Sequence, residues 1–444
     1  MLLWMDYAEE LLTEWKQCME EGLDASAYKE LMEQIKKMPP SRERYRLADE
    51  VFSLVQKLPQ QKGYAYDEPS DWNAIQACLP KEQPVLPGVP DREALSERIH
   101  GAWLGRIIGC LLGKPVEGRR TAELKEMMRD SKNDPLDRYF SYGDFSEAFC
   151  AEHADWMSHE GFADQLGGAA PSDDDTNYTV LSLKLINKYG RDFTTDDVAE
   201  IWLSDLPAIV TCTAERVAYR NALCGLTAPE TATHKNPYRE WIGAQIRGDL
   251  FGYINPGDLK TASHMAWRDA RISHIKNGIY GEIFVSAMLA AAAVCDNREE
   301  VVRAGLSQIP EASRLAERLR LVFDWSKEGI SMEEAIACVH GLYDEHDGHD
   351  WCHTISNAML VAVGILFGEG DLQKSICPIV QAGFDTDCNG ATIGSVIGMM
   401  YGAASIPEKW TAPLCGMLRT GVAGYNLVAI SDLADETMRL IPEA

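Results

Sequence analysis

Two short runs of acids in this chain have the residue types and spacing of a metal centre. Asp173-Asp174-Asp175-Thr176 lies near the middle and Asp385-Thr386-Asp387-Cys388 towards the end, each leading into a segment of small residues with helical character. Hard divalent cations such as Mg²⁺ take several oxygen ligands, and clustered carboxylates repel one another unless a cation neutralises them or protons are retained. Taken alone, the first run reads equally well as surface acids capping a helix, where unpaired N–H groups and the helix dipole favour negative side chains. A second run of similar form, in apolar rather than solvated surroundings, shifts the reading towards two halves of one site.

The elements that must position these acids are helices. From Asp91 onward nearly every periodic segment has apolar residues three and four apart, and no alternating strands separated by hairpin signals occur, so the expected fold class is all-α. Two helices carry glycine ridges: Gly101, Gly105, Gly109 and Gly113 fall four apart, as do Gly390, Gly394, Gly398 and Gly402. Each glycine costs up to about 1 kcal/mol of helix propensity. Eight of them at one period imply close backbone approach, with both helices central and each a candidate partner for the other.

Before that domain, three helical patterns are expected at 7–19, 25–37 and 42–58, and a Pro-, Gly- and Gln-rich stretch from Pro59 to Pro90 reads as a connection. The expected organisation is a helical extension and linker over 1–90 and a main domain over 91–444.

Composition narrows the function classes. The chain has 444 residues, 46% hydrophobic and 25% charged, with a formal net charge of −26. That charge works against a nucleic-acid surface, which needs clustered Lys and Arg to displace counterions. It does not exclude a small anionic substrate, because a bound cation inverts the local field. The apolar stretches around 283–294 and 396–405 are too short or too glycine-broken to span a bilayer, and the N-terminus lacks the basic-then-apolar order of a signal peptide. The twelve cysteines are scattered with no C-x-x-C pair, as in reduced, cytoplasmic proteins.

Three stretches together resemble the ADP-ribosylglycohydrolase family over roughly residues 97–440. The first runs from Gly101 through Gly113-Lys114-Pro115-Val116-Glu117 and is similar to the family's opening glycine-rich helix ending in a functional glutamate. The second is Asp173-Asp174-Asp175-Thr176, similar to a Thr-Asp-Asp-Thr metal motif. The third is Phe384-Asp385-Thr386-Asp387-Cys388, similar to a Gly-Asp-Thr-Asp-Thr element. The resemblance implies a compact, orthogonal multi-helix domain and Mg²⁺-dependent hydrolysis of a glycosidic bond to ribose in an ADP-ribosyl conjugate, with two Mg²⁺ ions and Mn²⁺ as an alternative. Carried across, the metal ligands fall on Asp174, Asp175, Asp385 and Asp387, with Asp173 and Cys388 at the two corners where the family has a hydroxyl residue. A thiol is a soft ligand that suits Mg²⁺ poorly, which puts one of the two ions in question. The acid that follows the third ridge glycine in the family is Cys110 here. Proton transfer is assigned to Glu117 with Asp173 or Asp174.

Two further segments carry candidate substrate contacts. The stretch Asp269–Glu282, read as a loop before an apolar helix at 283–294, offers Asn277 and Tyr280 as well as His274, with core roles as the alternative. The stretch Asp347–His353, ahead of a helix bearing Asn357, offers His349 and His353 for the pocket or for capping that helix; Phe384 joins them beside the third motif. A zinc site on His346, His349 and His353 is less favoured because no fourth ligand is placed to complete it.

Three other readings stand beside the main one. The altered Cys110, Asp173 and Cys388 fit a different N-riboside or other glycoside on the same fold. A non-catalytic ADP-ribose-binding or structural relative is a second, which the kept acids argue against. The third takes Asp385-Thr386-Asp387 as the nucleophile of a haloacid-dehalogenase-like phosphatase, but that requires the motif at the end of a strand.

Overall fold

Apolar residues at helical spacing become helices through most of the chain in the computed structural model, which describes residues 4–442. The outermost residues of the two expected spans, 1–3 and 443–444, lie outside the described residues. Among the described residues the only sheet is a two-stranded antiparallel pair, Met417–Arg419 with Leu427–Ala429, so the fold is all-α.

The first three helices are Leu11–Glu20, Lys29–Lys37 and Arg42–Val55. They share a small core of their own, built from Leu11, Cys18, Met32, Ile35, Val51, Phe52 and Val55. Several of their contacts to the body of the protein are ionic. Arg239, almost fully buried, donates to Glu14 at 2.5 Å and to Glu21 at 2.7 Å, and the Lys276 ammonium reaches Glu21 at 2.7 Å. Lys16 bridges Asp347 at 2.8 Å and Asp350 at 2.7 Å.

The stretch from 59 to 90 contains one short helix, Trp72–Ala77, capped by Asp71. Ile75 from that helix is completely buried in the main core. Elsewhere the main chain of this stretch is tied down: Asp67 N–H donates to the Ala312 carbonyl at 3.0 Å, and the Ser70 carbonyl accepts from the Trp267 indole at 2.9 Å.

Two helices form the centre of the main domain, Arg92–Gly113 and Thr386–Tyr401. The two glycine ridges face each other. A Cβ on Gly101, Gly105 or Gly109 would overlap the carbonyl of Gly398, Gly394 or Gly390, and the reverse substitutions overlap equally. The backbones touch because no side chain separates them, which is the use of glycine that offsets its poor helix propensity. Around this pair lie two apolar helices, Lys276–Ala292 and Thr354–Phe367, buried over nearly their whole lengths. The first begins well before the expected start at Ile283. The segment read as a loop is the end of helix Leu259–Ala270, a short turn, and the first two turns of Lys276–Ala292.

Candidate metal and catalytic centre

The glycine contact sets the site. It runs from Gly101 to Gly113 on one helix and along the whole of the other, so the C-terminal end of Arg92–Gly113 lies on the first residues of Thr386–Tyr401. Thr386 Oγ1 donates to the Gly113 carbonyl at 2.9 Å. The chain enters the second helix through Gly383 and Phe384, with φ of +73° and +56°. Left-handed backbone is unusual for a non-glycine residue and persists where its surroundings impose it. Here Asn357 imposes it: its Oδ1 accepts from the Asp385 N–H at 3.2 Å and from Asn389 Nδ2 at 2.8 Å, while its Nδ2 donates to the carbonyls of Trp351 and His353 at 3.0 and 2.9 Å.

The other acid run begins the helix Asp174–Tyr189. Asp173 is its N-cap and accepts from the Asp175 N–H at 2.9 Å, while its Oδ2 accepts from the Lys114 ammonium at 2.7 Å. Lys114 follows directly after the last ridge glycine. Asp175 is held by Arg106, a fully buried guanidinium on the first glycine helix, which also donates to Asp249, Thr392 and the Ile246 carbonyl.

Several oxygens here are buried and without a hydrogen-bond partner: Asp175 Oδ2, Asp385 Oδ1, Asp387 Oδ1 and Asn389 Oδ1. Each such acceptor costs about 1–3 kcal/mol when left unpaired. One ligand atom from each of Asp175, Asp387 and Cys388 lies within 4.8 Å of the others, and the same holds for Cys110, Asp173 and Asp175. Four orphaned hard oxygens are the ligand chemistry of Mg²⁺ or Mn²⁺. The residues therefore fit a hard divalent cation, and the thiols contribute least to that fit.

Proton affinities follow from the same crowding. The charge of Asp387, with burial and then Asp173 and Asp174, raises Glu117 well above the usual carboxyl range. Burial, then Asp173 and Asp387, lifts Asp174 to about 8. Asp387 is raised to about 6 by burial and then by Asp173, and Asp385 is raised further by burial and by Asp387. Burial would raise Asp173 as well, but Lys114 and the Asp175 N–H outweigh it and hold that carboxyl below its ordinary value. One acid is thus kept charged by a protein cation, while burial and mutual repulsion favour the protonated forms of Glu117, Asp174 and Asp385.

The sequence profile of the ADP-ribosylglycohydrolase family matches residues 91–442. The chain belongs to the ADP-ribosylglycohydrolase family. Its members are hydrolases of glycosidic bonds. No curated protein matches the sequence. A solved structure described as an "ADP-ribosylglycohydrolase-related protein complex" is similar at 18% identity, covering 78% of this chain and 98% of that one, with a TM-score of 0.49.

Within this glycohydrolase domain the structure gathers Glu117, Asp173, Asp174, Asp175, Asp385, Asp387 and Cys388 at one place. The remaining sequence candidates sit differently. Tyr280 and Asn277 are helical and fully buried: the phenol donates to the Pro69 carbonyl, and Asn277 Nδ2 donates to Glu68 at 2.8 Å while its Oδ1 accepts from the Leu315 N–H. Both tie the linker stretch to the core. Phe384 has no exposed surface and packs on His340, with ring centroids 5.0 Å apart, so its part is to orient Asp385. His349 accepts from the Trp241 indole at Nδ1, and its Nε2 faces Glu20 of the first helix at 3.2 Å. His353 Nε2 faces Glu20 at 3.5 Å and Glu240 at 3.7 Å. These two imidazoles and Glu20 form a compact group, whereas His346 is exposed.

Sequence reasoning passed over Lys114 and Arg106, and gave Asn357 and Asn389 no link to Asp385. Lys114 stands three residues before Glu117 in the quoted motif, and a lysine inside a glycine-rich apolar helix end was its signal. Arg106 offered the same signal one turn after Gly101.

Proposed function

We propose that this protein is a divalent-cation-dependent hydrolase of a glycosidic bond to ribose, acting on an ADP-ribosyl conjugate. The observation that carries the reading is the set of orphaned oxygens on Asp175, Asp385, Asp387 and Asn389 at the starts of the two acid-run helices, with Asp385 and Asp387 close enough to act on Glu117. These residues would hold the ion, Mg²⁺ or Mn²⁺. When bound, it supplies Lewis acidity towards sugar oxygens and offsets the charge of the cluster.

The chain's own groups do the rest. Glu117, partly exposed and held protonated by its acidic neighbours, gives its proton to the departing nitrogen or oxygen. Asp174, the most exposed acid of its run, accepts a proton from the attacking water once it is ionised, as the charge of a bound cation would favour. Dividing acid and base between two carboxyls is the usual arrangement in glycoside hydrolysis. Asp385, set by Asn357 and the Phe384 turn, positions the sugar.

One glycine after Glu117 come Arg119 and Arg120. Arg119 lies over the Trp156 ring at 5.2 Å and Arg120 over the Trp351 ring at 5.4 Å. A cationic, aromatic rim beside an acidic floor suits a substrate that carries phosphates on one side and a sugar on the other.

A second reading is favoured by one observation: Cys388 and Cys110 bring thiols to corners where hydroxyl and carboxyl oxygens are expected, which fits a different N-riboside or other glycoside on the same site. The decisive experiment measures release of ADP-ribose or ribose from ADP-ribosyl-arginine, ADP-ribosyl-serine and simple N-ribosides, with Mg²⁺ and with a chelator. Mg²⁺-dependent cleavage of an ADP-ribosyl conjugate is the expected result. Cleavage confined to a simple riboside supports the second reading, and cleavage of none overturns the first.

A further inference from the structure

The partly buried ammonium of Lys114 sits on an acid that the family resemblance gives to metal binding. We propose that Lys114 takes the place of one cation, so that this centre holds a single divalent ion. The inference rests on the reading of the acid cluster as a metal centre.

The geometry divides the carboxylates into two sets. Asp173 is satisfied by the protein: Oδ2 accepts from Lys114 Nζ at 2.7 Å and Oδ1 from the Asp175 N–H at 2.9 Å. Asp173 is 3% exposed at its side chain and Lys114 16%, so water screens this pair little and a second cation on Asp173 would meet the full repulsion of the ammonium. Lys114 is also fixed from behind. It follows the glycine helix directly and precedes Pro115, which restricts the backbone that carries it.

The other set is unsatisfied. Asp175 Oδ2, Asp385 Oδ1, Asp387 Oδ1 and Asn389 Oδ1 are buried without partners, and they are hard oxygens. The remaining oxygen of Asp175 is held by Arg106 at 2.8 Å. The compact group around Asp173 is completed by Cys110 and Asp175, of which one is a thiol and the other is already divided between Arg106 and the orphaned set. Sulfur and a committed carboxylate add too little to outweigh the ammonium, so a second hard ion is excluded while Lys114 is in place. One side of the centre is therefore neutralised from within the chain and the other from solution.

The test counts ions in the full-length protein by equilibrium dialysis against Mn²⁺, with metal analysis and the EPR signal of bound Mn²⁺. The wild-type chain should bind one ion; two per chain would overturn the proposal. Lys114→Met should admit a second ion and broaden the signal by coupling between the two, whereas Lys114→Arg should stay at one. A count of one in folded Lys114→Met would overturn the role given to the ammonium. Should Lys114→Met fail to fold, Asp173→Asn decides: it should change the affinity of the single ion by less than about tenfold, because Asp173 is not its ligand, while Asp387→Asn should weaken it by about 100-fold or more. A loss in Asp173→Asn as large as in Asp387→Asn overturns the proposal. No ion bound by the wild type overturns the metal reading itself, and with it this inference, which two ions would not do.

Discussion

Arg106 donates through one nitrogen, Nη2, to both the side chain and the main-chain carbonyl of Asp175, at 2.8 and 2.9 Å, so a residue of the first glycine helix fixes the conformation of an acid on another helix. The same guanidinium reaches Asp249 at 3.3 Å and Thr392 on the second glycine helix at 3.2 Å.

Removing that cation leaves two buried carboxylates without their counter-charge. Arg106→Met should destabilise the protein by about 3–5 kcal/mol, the range for breaking one side of a buried ion pair. Urea unfolding followed by circular dichroism measures it, and a loss below 1 kcal/mol would show that the network carries little.

The glycine contact makes the effect of a single methyl group depend on place. Gly109→Ala drives a Cβ into the Gly390 carbonyl and should cost about 1–3 kcal/mol or more. Gly341→Ala, in the helix Met332–Leu342 with open space around it, should instead gain up to about 1 kcal/mol. Thermal unfolding of the two variants should move in opposite directions.

Acids that repel one another in the absence of an ion serve function rather than stability. Asp385→Asn should lower Mg²⁺-dependent activity by at least about 100-fold, while the melting temperature without metal stays equal or rises. A folded variant with full activity would sink the assignment of Asp385.

Docking of the first helix should weaken in acid. Burial would raise Glu20, but His349, His353 and Arg314 outweigh it and hold the carboxyl down to about 2, against an ordinary 4.5. Glu240 is the other acid facing these imidazoles. For a carboxyl with a depressed folded-state pKa, the stabilisation is complete above 4.5 and is lost as pH falls from there towards 2. Hydrogen exchange of the Leu11–Glu20 amides should therefore accelerate over that window relative to the core, and Glu20→Gln should exchange faster at neutral pH but converge with wild type in acid. Equal exchange of the two proteins at neutral pH would contradict it.

What could be read in the sequence was local or periodic. The acid runs and the ridge glycines stood out because their spacing is regular, and the all-α class follows from apolar spacing. The start of the Lys276–Ala292 helix was hidden by Gly278 and Gly281, which lower helix propensity when judged alone. In the fold they make room for the Arg239 carbonyl and the Thr354 hydroxyl, and a lone pair of glycines has no period to betray that purpose. The partners of Arg106, Lys114 and Asn357 were illegible for another reason: each lies far away in the chain, and nothing in the residue's own neighbourhood specifies it.

The glycine ladder also bears on how the centre responds to temperature and pressure. Between most helices the spacing is kept by side chains that exchange rotamers and leave small voids; between these two it is kept by peptide groups alone. Such a seam has no rotamers to thaw and little free volume to compress. The separation of Glu117 from Asp387 should thus drift less on warming than the periphery of the domain, and the centre should keep its dimensions until the fold as a whole gives way.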